Sequence, residues 1–410
     1  MAAKSSAVRV WLCLFNVAMG FSLAIYVYEA FAYNAIFLGR ILPALGRGGM
    51  SVPFMVAFNL AWGLAFVSHV RAHLADPGAV PRQWHRFAEA LGPALPVVPS
   101  KPEFQPGRAT LCRQCGRSRP ERAHHCQFCG ICVLRYDHHC PWINNCVGSK
   151  NHKYFLLVVL YSCLASLIGL ATSMPELVYC ARVLAGVEDR SRWEAKHLTT
   201  PTVVAFLIFD LLALLTTVLL TLLLVTYLPF AAQNLTTVEE TYTNMANPFD
   251  LGGATANLEQ IFGAFGPDWF LPVQPFRPQS DGVYFPRPGE RQGLRLLDPR
   301  EAQRLEPEAR GRTPRLGRAP SFSSTNDSLQ DLSLIGDEEL DLQAERLWRL
   351  RYYARPPPLQ PGKGPEDASA AGARRWGSCC SREDAGGPRG RAWNPCCQRT
   401  HADGDYDLGG

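Results

Sequence analysis

The chain has 410 residues, of which 47% are hydrophobic and 19% are charged, and its formal net charge at pH 7 is +5. This length would allow two or three soluble domains, but the apolar residues are bunched into a few long stretches, which argues against that arrangement. The net charge is too small to indicate a nucleic-acid partner by itself.

Four apolar stretches, residues 8–28, 52–70, 154–173 and 203–228, are long enough to cross a bilayer. The first is followed by Glu29 without a small-residue cleavage site, so it is predicted to be a retained span rather than a signal peptide. Asp210 would lie inside the fourth stretch and face protein or water rather than lipid. The sequence therefore predicts an all-α polytopic membrane protein with four transmembrane helices.

Loop charges predict the orientation of these helices. The loop between the second and third stretches carries twelve Lys and Arg residues, whereas the loop between the third and fourth has four basic residues offset by four acidic ones. The positive-inside rule therefore places the longer loop, and both termini with it, in the cytosol. A reducing cytosol makes disulfides there improbable and favours metal ligation by the loop's cysteines.

The chain is predicted to divide into five parts. Residues 1–75 form two helices with a short luminal loop at 30–51, and 76–153 form a cytosolic cysteine-rich block that starts with a sharp helix exit at Asp76-Pro77-Gly78. Within it, residues 79–108 are Pro-rich and expected to be irregular. Residues 154–230 hold the third and fourth helices, 231–273 an ordered cytosolic segment, and 274–410 a mostly disordered tail.

Two features of the tail stand out from its polar composition. Apolar residues fall at helical spacing within residues 337–351, including Trp348, which fits either a transient helix or a docking motif. Two cysteine pairs, Cys379/Cys380 and Cys396/Cys397, would be accessible cytosolic thiols. Three roles fit these pairs: acceptors of acyl groups, metal-binding pairs, or thiols without a specific function.

The cysteine-rich block carries seven cysteines and four histidines between Cys112 and Cys146. The Cys-x2-Cys spacing recurs three times, and at this spacing two thiolates can hold one Zn²⁺ in a tight turn. Two closed tetrahedral sites would need eight ligands, and six cysteines with two histidines would fill them. One cysteine and two histidines would then remain. A free cysteine beside an Asp-His pair has the parts of an activated nucleophile.

In order and spacing, the block closely resembles the cysteine-rich domain of the Asp-His-His-Cys protein S-acyltransferases. The matching residues are Cys112, Cys115, His125, Cys126, Cys129, Cys132, Asp137, His138, His139, Cys140, Pro141, Trp142, Asn145 and Cys146. Outside the block, Asp76-Pro77-Gly78, Thr236-Thr237-Val238-Glu239 and Asn257 are similar to further motifs of that family. The resemblance covers roughly residues 8–265 and leaves the tail unexplained.

The resemblance implies two structural Zn²⁺ ions, and it assigns one to Cys112, Cys115, His125 and Cys132 and the other to Cys126, Cys129, His139 and Cys146. It leaves Cys140 as the nucleophile, with His138 as its base and Asp137 orienting that ring. Thr237 would hold Asp137, Glu239 would bind backbone or basic partners, and Asn257 would tie the segment after the fourth helix to the helices.

The implied activity is transfer of a long-chain acyl group, palmitoyl, from fatty acyl-CoA to cysteine thiols of membrane-associated proteins. Arg119, Arg122 and His124 are predicted to contact the phosphates of acyl-CoA, although exposed basic residues can equally be solvated or face lipid headgroups. Trp142 would lie against the acyl chain, or act as an ordinary interfacial anchor in the bilayer. The family's commonest location favours the Golgi, with the endoplasmic reticulum and plasma membrane as alternatives.

Two other functions fit parts of the pattern. A non-catalytic membrane scaffold would keep the metal sites, but it would not need Asp137, His138 and Cys140. A zinc-finger protein that binds nucleic acid would need recognition-helix spacing, which this block lacks, and the short tether to the membrane also argues against it.

Overall fold

The computed structural model describes residues 6–188 and 198–288, together with Glu345, Trp348, Arg349 and Tyr352. The chain separates into two compact units, Met1–Ala354 and Arg355–Gly410, and every described residue belongs to the first. The tail cysteine pairs Cys379/Cys380 and Cys396/Cys397 lie outside the described residues, as does most of the segment predicted to be disordered.

The first membrane helix is longer than predicted. Helix α1 (Ser6–Phe31) continues without a break into a π-helical stretch (Ala32–Ile41) and a final turn, α2 (Leu42–Ala44). After a short 3₁₀ turn at Gly48–Met50, helix α3 runs over Ser51–Leu74. The prediction of a loop over residues 30–51 is therefore wrong for most of that range.

Packing explains why this stretch is helical rather than a loop. Tyr33 and Phe37 are fully buried, with Tyr33 stacked on Phe58 of α3 at a centroid distance of 3.9 Å. Asn34 and Asn59 exchange side-chain hydrogen bonds of 3.0 and 2.8 Å. Hydrogen bonds between polar side chains hold neighbouring helices together in an apolar environment, where unpaired amide groups would be costly.

A helix that the sequence did not predict follows the second membrane helix. Helix α4 (Arg82–Leu91) lies in the range expected to be irregular, and it buries Trp84, Phe87 and Leu91 on one face. Their spacing of three and four residues is that of an amphipathic helix. The helix ends at Gly92, whose φ of 49° suits a residue without a side chain.

Short strands form the rest of the cysteine-rich block. Strands β1 (Val97–Pro99), β2 (Ala109–Cys112) and β3 (Arg117–Arg119) make a three-stranded sheet in that order, with β1 and β2 parallel and β2 and β3 antiparallel. Two antiparallel hairpins follow, β4–β5 (His124–Cys126 with Ile131–Val133) and β6–β7 (His138–Cys140 with Asn145–Val147). These strands were not predicted from the sequence, because their three or four residues are too few to show a period.

Helices α5 (His152–Leu184) and α6 (Thr200–Ala232) complete the membrane part. Each has 33 residues, about 50 Å of helix against the roughly 30 Å of a bilayer's hydrocarbon core. Four helical runs in the described part, Val10–Ala44, Gly48–Leu74, His152–Leu184 and Thr200–Ala232, are long and apolar enough to cross a membrane. The predicted fold class is confirmed. As expected, Asp210 faces protein, since it is 2% exposed and accepts a hydrogen bond from the Ser173 hydroxyl.

Asparagine side chains join the cysteine-rich block to the membrane helices. The amide of Asn145 in β7 donates to the carbonyl oxygens of Ala72, His73 and Ala75 at 3.1, 3.0 and 2.8 Å. These carbonyls belong to the end of α3, where they have no partner within the helix. Asn151, just before α5, donates to the carbonyl of Cys146 at 2.7 Å. The block is thus fixed to the ends of two membrane helices.

Helix α7 (Ala254–Phe262) follows the fourth membrane helix and is tied back to it. The Asn257 amide donates to the carbonyl of Ala232, the last residue of α6, at 2.9 Å, and its oxygen accepts from the amide of Leu251 at 2.8 Å. This is the role that the sequence analysis expected for Asn257.

Gly148, between β7 and α5, provides a test of how closely the cysteine-rich block packs against the chain that follows α3. A Cβ atom there would lie 2.5 Å from Val133 Cγ1 and closer still to the carbonyl oxygen of Pro77. We expect Gly148→Ala to lower the free energy of unfolding by about 1–3 kcal/mol, because the backbones cannot move apart without strain. Thermal unfolding measures the effect. Gly253→Ala is the control, because no heavy atom lies within 4 Å of its Cβ position. Equal melting temperatures of the two variants would contradict the close packing around Gly148.

Candidate functional site

The first metal-binding cluster is formed by residues from β2, β4, β5 and the turn after β2. Its members are Cys112, Cys115, His125 and Cys132, and their ligand atoms lie within 4.8 Å of one another. Cys115 Sγ lies 3.2 Å from His125 Nδ1 and 3.7 Å from Cys132 Sγ. Ligand atoms of a tetrahedral zinc site lie about 3.5–3.8 Å apart, given the usual zinc–ligand bond lengths. The cluster therefore fits one Zn²⁺ ion.

The second cluster has the same composition. It is formed by Cys126, Cys129, His139 and Cys146. Cys129 Sγ lies 3.4 Å from both His139 Nδ1 and Cys146 Sγ, and Cys146 Sγ lies 3.6 Å from the same His139 nitrogen. Three sulfur atoms and one imidazole nitrogen around a common centre are a donor set that suits a closed structural zinc site.

Hairpin register and tight turns bring these ligands together. His125 pairs directly with Cys132 across β4–β5, and His139 pairs with Cys146 across β6–β7. Two of the Cys-x2-Cys turns, Cys112–Cys115 and Cys126–Cys129, are followed directly by a glycine with positive φ, 65° at Gly116 and 74° at Gly130. Glycine adopts this conformation at little cost. The grouping of the eight ligands is the one that the family resemblance implied, and the two sets interleave along the chain.

Cys140 belongs to neither metal cluster. It ends strand β6 and is 3% exposed. It lies in an apolar cluster that includes Tyr26, Ala65, Phe155 and Ala231, and so contains residues of all four membrane helices. The thiol therefore lies where the cysteine-rich block meets the membrane-embedded core.

Asp137 and His138 form a hydrogen-bonded pair beside this thiol. His138 Nδ1 lies 2.7 Å from Asp137 Oδ2, and the ring packs between Phe155 and Tyr227 at centroid distances of 5.2 and 5.6 Å. Burial by itself lowers the pKa of His138, but hydrogen bonds to Asp137 and Cys140 outweigh it and raise this pKa to about 9. Burial likewise opposes ionisation of Asp137, yet the hydrogen bond from His138 lowers its pKa to about 2. The raised pKa of His138 favours the imidazolium form, so the ring can hold a proton taken from a neighbouring thiol while Asp137 stabilises the positive charge.

Thr237 fixes the buried Asp137. Its backbone amide donates to Asp137 Oδ1 at 2.7 Å, and its hydroxyl donates to the Asp137 carbonyl oxygen at 2.8 Å. One carboxylate oxygen is thus held by Thr237 and the other faces His138. The expected supporting role of Thr237 is confirmed, with the backbone amide as an additional donor.

Arg122 does not lie where the sequence analysis placed it. Its side chain is only 1% exposed and makes a bidentate ion pair with Glu239, with Nε–Oε1 and Nη2–Oε2 distances of 2.7 Å each. Glu239 in turn accepts a hydrogen bond from the Thr236 amide at 3.0 Å. The guanidinium of Arg122 is buried and its N–H groups bind Glu239 and Asn234, so it cannot bind the phosphates of acyl-CoA. The expectation for Arg122 is therefore wrong, whereas that for Glu239 is confirmed.

The other residues predicted to contact the acyl donor lie in two different places. Arg119 is 6% exposed and donates to Thr110 Oγ1 at 2.9 Å and Ser100 Oγ at 2.7 Å, while His124 is half-buried. Both line a cleft of about 380 Å³. Trp142 is 50% exposed and lies two residues after Cys140 in the chain.

Two buried polar residues near the site were not identified from the sequence. Asn234 Oδ1 accepts hydrogen bonds from Arg122 Nη1 at 3.2 Å and from Arg135 Nη2 at 3.0 Å. Arg135 is 1% exposed, and its Nη1 lies 2.7 Å from His152 Nδ1. The only signal was position, because Arg135 lies two residues before Asp137 and Asn234 two residues before Thr236.

Comparisons with known proteins found matches over the part of the chain that contains this site. The sequence profile of the family described as DHHC palmitoyltransferase matches residues 105–244, a range that contains both metal clusters, Cys140 and Glu239. The chain is 31% identical over 254 residues to Probable protein S-acyltransferase 14 of Arabidopsis thaliana, an alignment that covers 58% of this chain and 79% of the relative. It is 37% identical over 128 residues to Palmitoyltransferase ZDHHC3 of Homo sapiens, covering 30% of this chain and 39% of that protein.

Removing one metal ligand tests the interleaved clusters. We expect Cys126→Ala to lose metal from the second cluster and to destabilise the first, because the chain passes from one set of ligands to the other. Metal content by atomic emission and a thermal unfolding curve measure both effects. Cys163→Ala is the control, since this cysteine lies in α5 outside both clusters. Retention of two equivalents of zinc by Cys126→Ala would contradict the assignment.

Proposed function

The chain belongs to the DHHC palmitoyltransferase family and is a protein S-acyltransferase, and from this premise we propose that it works through an acyl-enzyme on Cys140. A long-chain acyl group, palmitoyl, passes from acyl-CoA to Cys140 and then to a cysteine thiol of a membrane-associated protein. The observation that carries the proposal is the position of Cys140, which is outside both metal clusters, beside His138 and within an apolar cluster shared with the membrane helices.

In the first step the thiol proton of Cys140 passes to His138, and the thiolate attacks the carbonyl carbon of the acyl-CoA thioester. The bond between that carbon and the sulfur of CoA breaks, and CoA leaves as a thiol after taking the proton from His138. Asp137 keeps the ring oriented and stabilises its positive charge, supported by the 2.7 Å hydrogen bond between them.

The second step repeats this chemistry with another thiol. The acceptor cysteine gives its proton to His138 and attacks the acyl carbon on Cys140. The bond from that carbon to Cys140 sulfur breaks, and Cys140 leaves as the thiolate, which regains a proton from His138. The acyl group thereby moves from one thioester to another without an oxidant or other co-reactant.

The metal clusters are proposed to hold two Zn²⁺ ions with structural roles. Closed tetrahedral coordination by three cysteines and one histidine leaves no position for substrate, so the ions supply folding energy rather than chemistry. His139 is a ligand of the second cluster and Cys140 is the next residue, so this coordination also fixes the backbone that carries the nucleophile.

The acyl chain is proposed to lie among the membrane helices near Cys140. The surrounding cluster is apolar and includes Tyr26, Ala65 and Phe155 from three helices. Burial of each CH₂ group contributes about 0.8 kcal/mol, so a long chain gains considerable binding energy there. Trp142, half-exposed beside Cys140, would contact the part of the chain close to the thioester.

The phosphates of CoA are proposed to remain in water, where Arg119 and His124 line the 380 Å³ cleft together with Arg113. The basic loop between the second and third helices supports a cytosolic location for this cleft, and the substrates are then proteins held at the cytosolic face of a bilayer. The Golgi remains our proposed compartment, and nucleic acid is not a proposed partner.

Replacing the nucleophile tests the proposal most directly. We expect Cys140→Ser to abolish hydroxylamine-sensitive labelling of the protein by labelled palmitoyl-CoA, because serine is far less nucleophilic and would form an ester instead. Zinc content and melting temperature should stay near wild type, because Cys140 is in neither cluster. Loss of zinc in this variant, or hydroxylamine-sensitive label that persists in it, would rule out the assigned role.

The base is tested separately. We expect His138→Ala to fold normally but to form the acyl-enzyme about 10²–10⁴ times more slowly at neutral pH, because removal of a general base typically has this effect. Raising the pH should recover part of the rate, since the thiol then ionises without the base. Single-turnover labelling across a pH series measures this; wild-type turnover at pH 7 would eliminate His138 from the mechanism.

A further inference from the structure

Helix α4 forms one wall of an aromatic pocket on the cysteine-rich block. Trp84 and Phe87 are 0% and 1% exposed, and they pack with Leu134 and with Val283 from the segment after α7. A short amphipathic helix cannot bury such large rings by itself and needs a partner surface. The remaining members of the cluster show what covers it.

The covering residues come from the tail. The described tail residues Glu345, Trp348, Arg349 and Tyr352 are helical. Of these, Trp348 and Tyr352 are buried, and we call these two residues the tail anchor. Trp348 is 3% exposed, with ring centroids 5.8 Å from Trp84 and 5.5 Å from Phe87 in edge-to-face geometry. Its indole nitrogen donates to Asp281 Oδ2 at 2.7 Å. The ring is therefore held by both packing and a directed hydrogen bond to a buried carboxyl group.

Tyr352 is the second inserted ring. It is 1% exposed, and its centroid lies 4.9 Å from that of Trp84. Its hydroxyl accepts a hydrogen bond from the Glu121 amide at 3.0 Å and donates to the Val283 carbonyl at 3.3 Å. Trp348 and Tyr352 are four residues apart, so a helix presents both to the same surface.

The edge of the contact is polar. The Glu345 and Arg349 side chains are 37% and 40% exposed and lie 3.9 Å apart, and the Arg349 guanidinium lies 6.0 Å from the Phe87 ring. A buried aromatic centre with an exposed charged edge is the usual anatomy of a specific protein interface. Of the two interpretations that the sequence left open, this contact favours a docking motif.

We propose that the tail anchor is an intramolecular ligand of the α4 pocket. Its docking also supports the catalytic pair, Asp137 and His138, through the turn at Glu121 and Arg122. The second part rests on the proposed function. The occupant of the pocket is this chain's own tail, and Trp348 and Tyr352 are its two anchoring rings.

The connection to the catalytic pair is short. The Glu121 amide is bonded to Tyr352, and the next residue is Arg122, whose φ of 62° is unusual for a residue with a side chain. Such a conformation persists only where surrounding contacts hold it. Arg122 binds Glu239, and Thr237 of the same turn binds Asp137. Tyr352 and Trp348 are thus positioning residues that act through Arg122.

The test uses the full-length protein in lipid nanodiscs. We expect Trp348→Ala to speed hydrogen exchange severalfold at the amides of α4 and at Glu121, as measured by mass spectrometry. The maximal rate of acyl-enzyme formation should fall, while the half-saturating acyl-CoA concentration should not change, because the tail anchor lies against α4 rather than in the donor cleft. Trp348→Phe, which retains a ring in the pocket, should restore most of the protection and most of the rate.

Glu345→Ala is the matched control, because it changes the exposed edge of the same segment and should leave exchange and rate at wild-type values. Wild-type exchange of α4 in Trp348→Ala would overturn the docking. Faster exchange with an unchanged rate of acyl-enzyme formation would overturn the coupling to the catalytic pair. A wild-type protein that formed no acyl-enzyme would refute the proposed function instead, and the exchange data would still decide the docking.

Discussion

The ion pair between Arg122 and Glu239 joins two parts of the chain that lie 117 residues apart. Both side chains are almost completely buried, at 1% and 2% exposure, and the guanidinium also lies over the rings of Phe249 and Phe285 at 4.3 and 4.7 Å. Two charges are tolerated inside a protein only when each neutralises the other and the remaining donors are satisfied. Loss of one partner from such a pair typically costs about 3–5 kcal/mol. The cysteine-rich block and the segment after the fourth helix are therefore one structural unit.

The reactive pair depends on this unit. Glu239 binds the Thr236 amide as well as Arg122, so the ion pair fixes the turn from which Thr237 reaches Asp137. Asp137 then holds His138, and the next residue, His139, belongs to the second metal-binding cluster and directly precedes Cys140. The proposed metal coordination would order this strand from one side, and the Arg122–Glu239 pair orders it from the other. Both sets of contacts act on the backbone around the Cys140 thiol and its neighbour His138.

Local chemistry explains which features could be predicted. Cys126 and Cys129 were expected to share a metal because their spacing itself allows two thiolates to converge, and the turn needs only a glycine such as Gly130. The exit from α3 was expected for a similar reason, since Asp76-Pro77-Gly78 cannot continue a helix.

By contrast, α4 was missed because its ten residues lie in a Pro-rich range. The apolar face that contains Trp84 and Phe87 is too short there to show a helical period. The first loop was misjudged because residues 30–51 contain glycines and the charged residues Arg40 and Arg47, whereas packing against α3 and α6 keeps most of this stretch helical.

By itself the sequence determined the four apolar spans, the pool of metal ligands and the surplus cysteine, because these depend on composition and spacing over a few residues. The family resemblance added how the ligands divide and the role proposed for Cys140. Only the tertiary structure decided that Arg122 is buried against Glu239 rather than exposed to an anionic ligand, and that Trp348 and Tyr352 lie against α4. Both outcomes depend on partners more than a hundred residues away in the chain. No local pattern encodes such a pairing, because a charged or aromatic side chain is equally compatible with solvent until folding brings its partner within reach.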